Sequence, residues 1–149
     1  MRARSRFAVL ATAASFAASF LVASPAEAAI PFDPQCTGDR VRRCVRLDIT
    51  SAGAVAIASI TDSQDDSENF DVTVDYVELQ AWDGYANTWK PIREASGDPG
   101  WQVEWDRAVT SGGGCDKSFR VVAGVRWQPG GGTSGSDTLT SKSAVVNCQ

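Results

Sequence analysis

The chain contains no histidine. That excludes every nucleophilic triad built on an imidazole base and removes the usual zinc and copper ligand. No two cysteines stand in CxxC spacing, so neither a thiolate metal site nor a dithiol redox motif is expected. Past residue 28 no apolar run reaches the length of a membrane span, and no window has the periodicity of an amphipathic helix. The glycine-rich stretch 130–135 is followed by neither a helical pattern nor Lys-Ser/Thr, so it is no phosphate cradle. No cofactor is expected.

The N-terminus has three parts. Arg2, Arg4 and Arg6 make a positive start, residues 7–22 carry no charge, and Ala26 and Ala28 place small residues at the −3 and −1 positions of a cleavage site after Pro25. This is the layout of a secretory signal peptide over residues 1–28, and the apolar run is too short and too rich in Ala and Ser for a spanning anchor. The remainder of the chain divides into an extended leader, 29–40, and one domain, 41–149. Taking the three arginines and Glu27 of residues 1–28 from the chain's 14 basic and 18 acidic residues leaves 11 and 17, a net charge of −6. An acidic domain disfavours nucleic acid and, after signal cleavage, an anionic membrane surface.

Cys36, Cys44, Cys115 and Cys148 all lie beyond the signal. In an oxidising compartment an even number implies disulfides, and four cysteines allow three pairings. The favoured set is Cys36–Cys44, closing a short loop, with Cys115–Cys148. Setting Trp127 opposite Thr138 in a hairpin of the last two strands brings residue 148 opposite 117, two residues from Cys115.

Alternation at period two marks the strands. Val45, Leu47 and Ile49 share one face of 41–50, and Val55 and Ile57 are the expected inward set of 54–61. In 72–82 the inward set changes phase from Val72 and Val74 to Val77 and Leu79, which predicts a β-bulge. Asp83-Gly84 signals a hairpin, and Pro91 confines the strand after it to an edge. Residues 101–111 alternate with Trp101, Val103 and Trp105 on one face and Glu104 and Asp106 on the other. Phe119, Val121, Ala123, Val125 and Trp127 line one face of 118–127, and 138–147 forms the last strand. Trp105 and Trp127 are expected in the core. Seven or so short strands with turns between them predict an all-β antiparallel sandwich, immunoglobulin-like and stapled by two disulfides. A small closed barrel is the other architecture that fits.

Four groups of residues bear on function. Trp82, Tyr85, Trp89 and Trp101, with Asp83 and Asn87, suit a carbohydrate site, since sugar rings offer apolar C–H faces to indole while carboxylates and amides hold hydroxyls. The acidic residues Asp62, Asp65, Asp66, Glu68 and Asp71 lack the spacing and central glycine of an EF-hand and read as a solvated loop. Alternation puts Glu104 and Asp106 on one strand face, about 7 Å apart, as the paired carboxylates of glycoside chemistry, but on a domain too small for a deep cleft beside them. Arg40, Arg42, Arg43 and Arg46 are close enough in sequence to pair with the acidic loop of a neighbouring strand.

The alanine-rich export signal, the opening QCTGDRVRRCVRLD and the ending AVVNCQ resemble the small secreted β-rich proteins of actinobacteria, a group with no assigned function. The resemblance implies an exported β protein and supplies no functional residues. The neocarzinostatin-like chromophore carriers and the tendamistat-like amylase inhibitors share an all-β frame with two disulfides, but the Trp-Arg-Tyr loop of the inhibitors is absent here.

The expected function is therefore a secreted, non-enzymatic binding module for a polysaccharide or cell-envelope surface. The alternative is a secreted inhibitor or interaction protein presenting a disulfide-held loop to an extracellular protein, an enzyme. Each bridge typically contributes about 2–4 kcal/mol. A reduced and alkylated sample should therefore melt well below the oxidised protein, and equal melting temperatures would refute the disulfide assignment.

Overall fold

The computed structural model describes residues 30–63, 69–129 and 134–147. The expected signal peptide, Asp65, Asp66, Glu68, most of the glycine loop and Cys148 lie outside them. Among the described residues the regular elements are all strands: β1 (Ile30–Pro31), β2 (Gln35–Thr37), β3 (Val41–Thr50), β4 (Gly53–Asp62), β5 (Phe70–Asp83), β6 (Thr88–Ala95), β7 (Gln102–Val103), β8 (Trp105–Gly112), β9 (Lys117–Pro129), β10 (Gly135–Thr140) and β11 (Ala144–Val146).

They make two antiparallel sheets. The first runs β3-β4-β8, with β1 and β2 both along the free edge of β3. The second runs β10-β9-β5-β6, with β11 extending the β10 side and β7 the β6 side. The inner faces meet in one apolar core. Val45 and Leu47 of β3, Val72, Val74, Val77 and Leu79 of β5, and Phe119, Val121, Ala123 and Val125 of β9 are all at most 2 % exposed. Each such side chain contributes roughly 1.5–3 kcal/mol on burial.

The phase change expected in 72–82 is present as a shift in the β5–β9 pairing between Val74 and Tyr76. The hairpin closes with Trp82 opposite Trp89 and Asp83 opposite Thr88, and β6, with Pro91, is an edge strand. Cys36 and Cys44 face each other across β2 and β3 and are bonded. Within the expected extended leader, β1 and β2 thus pair with β3 of the first sheet. Cys115 is also disulfide-bonded, while its expected partner lies outside the described residues.

Several expected orientations are reversed. On β4 the buried set is Ala54, Ala56, Ala58 and Ile60, and Val55 and Ile57 face outward. Both faces of this strand are apolar, so alternation alone could not set the phase. The small alanines face the bulky Leu79 and Phe119 across one core, as interdigitating layers require. Residues 101–111 do not form one strand. Glu104 has φ of 71° and separates β7 from β8, so the pattern read across it loses its phase. Asp106 and Ala108 turn inward, and Trp105, expected in the core, is 60 % exposed. Glu104 and Asp106 therefore form no carboxylate pair on a common surface. Trp127 is half-buried against the core, with the Arg43 guanidinium 4.6 Å from its ring centroid. The last strand is two: β10 places Gly135, not Thr138, opposite Trp127, and Ser141 breaks the ladder before β11. At the break Ser141 N–H donates to Val121 O and Val121 N–H donates to Ser141 Oγ.

Asp106 resolves a gap in the second sheet. Along one side of β5, β7 pairs at residues 71 and 72 and β6 begins only at 77, leaving Val74 without a strand partner on that side. Its N–H donates to Asp106 Oδ2 at 2.7 Å and its carbonyl accepts from Gly97 N–H at 2.9 Å. Asp106 Oδ1 accepts from Asp98 N–H at 3.1 Å and Arg107 N–H at 2.7 Å. The carboxylate, 1 % exposed, thus ties β8 of one sheet to β5 of the other and shapes the 96–101 loop. A Cβ on Gly97 would lie 2.1 Å from Asp106 Oδ2, so only glycine fits there. Leaving buried N–H groups without an acceptor costs about 1–3 kcal/mol each. Asp106→Ala should lower stability by at least about 3 kcal/mol in urea denaturation, with Gly97→Ala similarly harmful. A loss under about 0.5 kcal/mol would exclude this role for the carboxylate.

Candidate functional site

Because Val77, Leu79 and Ala81 point inward, Tyr76, Glu78, Gln80 and Trp82 line the outer face of β5. Cross-strand pairing puts Trp89 of β6 beside Trp82, their ring centroids 5.4 Å apart and the rings edge to face at 64°. Arg120 of β9, opposite Gln80, lies with its guanidinium 4.7 Å from the Trp89 centroid. Its Nε donates to Gln80 Oε1 at 2.9 Å, and Gln80 Nε2 donates to Glu78 Oε2 at 2.6 Å. These contacts hold polar groups in fixed positions next to the indoles.

Further along the sheet Tyr76 lies across Gly124, where a Cβ would meet its ring at 2.4 Å. Beyond it, Arg126 Nε and Nη2 donate to the bulge residue Asp75 at 2.5–2.8 Å. That interaction raises the Arg126 pKa above its ordinary value, first through the hydrogen bond and then through the opposite charge. The Arg126 guanidinium lies 5.4 Å from the Trp101 centroid. A groove of about 380 Å³ beside it is lined by Thr73, Asp75, Gly97, Pro99, Trp101 and Arg126. Since Arg126 stands opposite Thr73, the aromatic row from Trp82 to Trp101 covers about 30 Å at 3.3–3.4 Å per residue.

The six residues singled out from sequence therefore divide. Trp82 and Trp89 meet, and Trp101 lies on the same sheet at its opposite end. Tyr85 is fully exposed at the hairpin tip, at 105 %. Asp83 and Asn87 build the turn. Asp83 Oδ1 accepts from Tyr85 N–H and Ala86 N–H, Oδ2 accepts from Lys90 Nζ at 2.5 Å, and Asn87 takes the left-handed region with φ of 50°. Sequence reasoning missed Tyr76, Gln80, Arg120 and the Asp75–Arg126 pair, because partners 40 and 51 residues apart carry no local signal. Of the acidic loop, Asp62 accepts from Phe70 N–H and Asp71 from Gln128, and among the described residues no carboxylate cluster could hold a metal ion.

No protein-family model, curated protein or solved structure matches the chain.

The Asp83 carboxyl titrates below the usual aspartate range, first because of the hydrogen bond from Lys90 and next because of that from Ala86 N–H. A depressed folded pKa favours the folded hairpin above the ordinary aspartate value, and that contribution is lost as pH falls through the lower folded value. In an NMR titration the Tyr85 and Ala86 amide shifts should hold through the normal aspartate range and change only below it. Lys90→Ala should move the midpoint upward. A wild-type midpoint at the ordinary value would show that the Lys90 contact does not form.

Proposed function

We propose that this chain is an exported, non-enzymatic binding module that holds a polysaccharide, such as a cell-envelope glycan, along the outer face of its second sheet. One observation carries the reading: indole and phenol rings are spaced along one face of the sheet, and Trp89 and Trp101 each lie against an arginine already fixed by a hydrogen bond. Trp82 and Trp101 are 38 % and 40 % exposed, and singly placed surface indoles would need no such neighbours. Flat aromatic surfaces suit the C–H faces of sugar rings, and preset donors and acceptors limit the entropy lost on binding. A groove open along the sheet suits a polymer better than a small substrate enclosed for chemistry. The described disulfide and the absence, among the described residues, of any helix long enough to cross a membrane are compatible with a protein working outside the cell.

The strand order supports an immunoglobulin-like frame. The chain crosses between sheets from β4 to β5, from β7 to β8 and again from β8 to β9, and the second sheet keeps the hairpins β5-β6 and β9-β10 at its two sides, as in Greek-key sandwiches. For the second bridge, the last described pair, Lys117↔Val146, has the same residue-number sum as Cys115 and Cys148, which favours that pairing.

Tyr85 favours a second reading. A fully exposed ring on a turn braced by Asp83 is the shape of an inhibitor's contact residue. Affinity electrophoresis separates the two. In gels containing soluble chitin, cellulose, xylan or starch derivatives or peptidoglycan fragments, one polymer should retard the protein, Trp82→Ala and Trp101→Ala should each weaken retention about tenfold, and Tyr85→Ala should leave it unchanged. Absence of retardation by any polymer would overturn the glycan reading. A stoichiometric complex with one extracellular enzyme, lost in Tyr85→Ala, would establish the inhibitor instead.

A further inference from the structure

The opposite surface of the molecule, the outer face of the first sheet, has different chemistry. Its register puts Cys44 of β3, Ser59 of β4 and Arg107 of β8 in one row across three strands. Arg42 and Arg46 stand two residues to either side of Cys44 on the same face. Opposite residues in such a ladder are about 4.5–5.5 Å apart and diagonal ones about 7–8 Å. Three guanidinium-bearing side chains therefore surround one serine. They line a groove of about 390 Å³ completed by Pro34, Ile57 and the Cys36–Cys44 bridge.

Two of these arginines are not held as the other described arginines are. Arg46 turns Nε toward Asp48 Oδ1 at 3.0 Å, a contact too poorly aligned to count as a hydrogen bond for either atom. The side chains of Arg42 and Arg107, and the Ser59 hydroxyl, have no hydrogen-bond or ion-pair partner among the described residues. Among the described residues Asp48 is the only acid drawn to the group, against three positive charges, on a chain that is acidic as a whole. Surface arginines without function are normally scattered or balanced by carboxylates. Here three planar donor forks and a hydroxyl line one groove, beside a disulfide and the buried Ile57, 9 % exposed. Such forks match a tetrahedral oxyanion and bind it through paired, charge-assisted hydrogen bonds.

We propose that the groove formed by Arg42, Arg46, Arg107 and Ser59 binds a phosphate-class oxyanion, whether a phosphate ester carried on a polymer or free phosphate. The site lies on the opposite sheet from the aromatic face and does not depend on the glycan reading. The three arginines approach the anion from either side of Cys44 on β3 and from β8, and Ser59 donates from the floor. The disulfide fixes β2 and Pro34 as the groove's outer wall.

Isothermal titration calorimetry with inorganic phosphate and with a glycerol-phosphate oligomer tests this at low and moderate salt. Binding should be detected with at least one probe and weaken as salt rises, because opposed charges are being screened. Arg107→Gln and Arg42→Gln should each reduce affinity on the order of tenfold. Lys117→Gln removes the same charge far from the groove and should change it less than twofold. Circular dichroism melts of each variant confirm folding, and Ser59→Ala supplies a second variant that leaves the charges in place and should still weaken binding. Tighter binding of the oligomer assigns the site to a polymeric phosphodiester, and tighter binding of inorganic phosphate to the free ion. No binding of either probe, or equal loss in Lys117→Gln and Arg107→Gln, would overturn the proposal.

Discussion

The Asp106 carboxylate is the contact on which both sheets depend. A sandwich strand buried on its inner face must satisfy backbone groups on both edges, and an unmet N–H inside the protein is more costly than a lost surface contact. Opposite residues 73–76, β5 has no neighbouring strand on the β6 side. A loop passing there could offer backbone groups, yet a carboxylate oxygen accepts two N–H groups at once and accepts more strongly than a carbonyl. Asp106 uses both oxygens, for Val74, Asp98 and Arg107. The glycine at 97 and the exposure of Trp105 are then consequences. Residue 97 must leave room for Oδ2, and turning Asp106 inward turns its chain neighbour outward.

The same constraint reaches the aromatic face. By holding Asp98 N–H and the segment around Gly97, Asp106 fixes the loop that ends in Trp101, so one end of the exposed aromatic row is anchored from inside the molecule. The other end is anchored by the hairpin, where Asp83 satisfies Tyr85 and Ala86 N–H and meets Lys90. Between them the bulge at Asp75 supplies both the extra residue that reverses the strand's phase and the carboxylate that grips Arg126. The irregularity and the polar anchor have one origin.

These features also explain how much of the molecule was legible in its sequence. Where one face alone is apolar, as in 118–127 and 41–50, alternation gave strand and orientation together. The bulge in β5 could be read because valines change register around Asp75, and the hairpin because Asp-Gly is a local turn signal. Orientation was lost where both faces are apolar, on β4, and where a left-handed Glu104 interrupts what looks like one pattern. Buried Asp106 resembled a surface acid because its partners, Val74 and the Gly97 loop, come from other elements. For the candidate site, Trp82 and Trp89 were legible as neighbours of one turn. Their partner Arg120 belongs to a strand whose register against β5 is set by the whole core.

The arginines show how one side chain serves three purposes in an acidic domain. Arg43 lies over Trp127 and reaches Asp137 at 3.8 Å, so its charge lies between the two sheets at the edge of the core. Arg120 and Arg126 are spread against indoles with their Nε groups committed to Gln80 and Asp75, which makes them fixed parts of a surface rather than mobile charges. Arg42 and Arg107 have neither an aromatic ring nor a carboxylate among the described residues, although the chain has more acids than bases with which to supply one. Neutralising them would have needed only an acid in place of Ser59 or Thr61, the residues that face them across the sheet. Placing neutral hydroxyls there leaves the positive charge of that face uncompensated by its cross-strand neighbours.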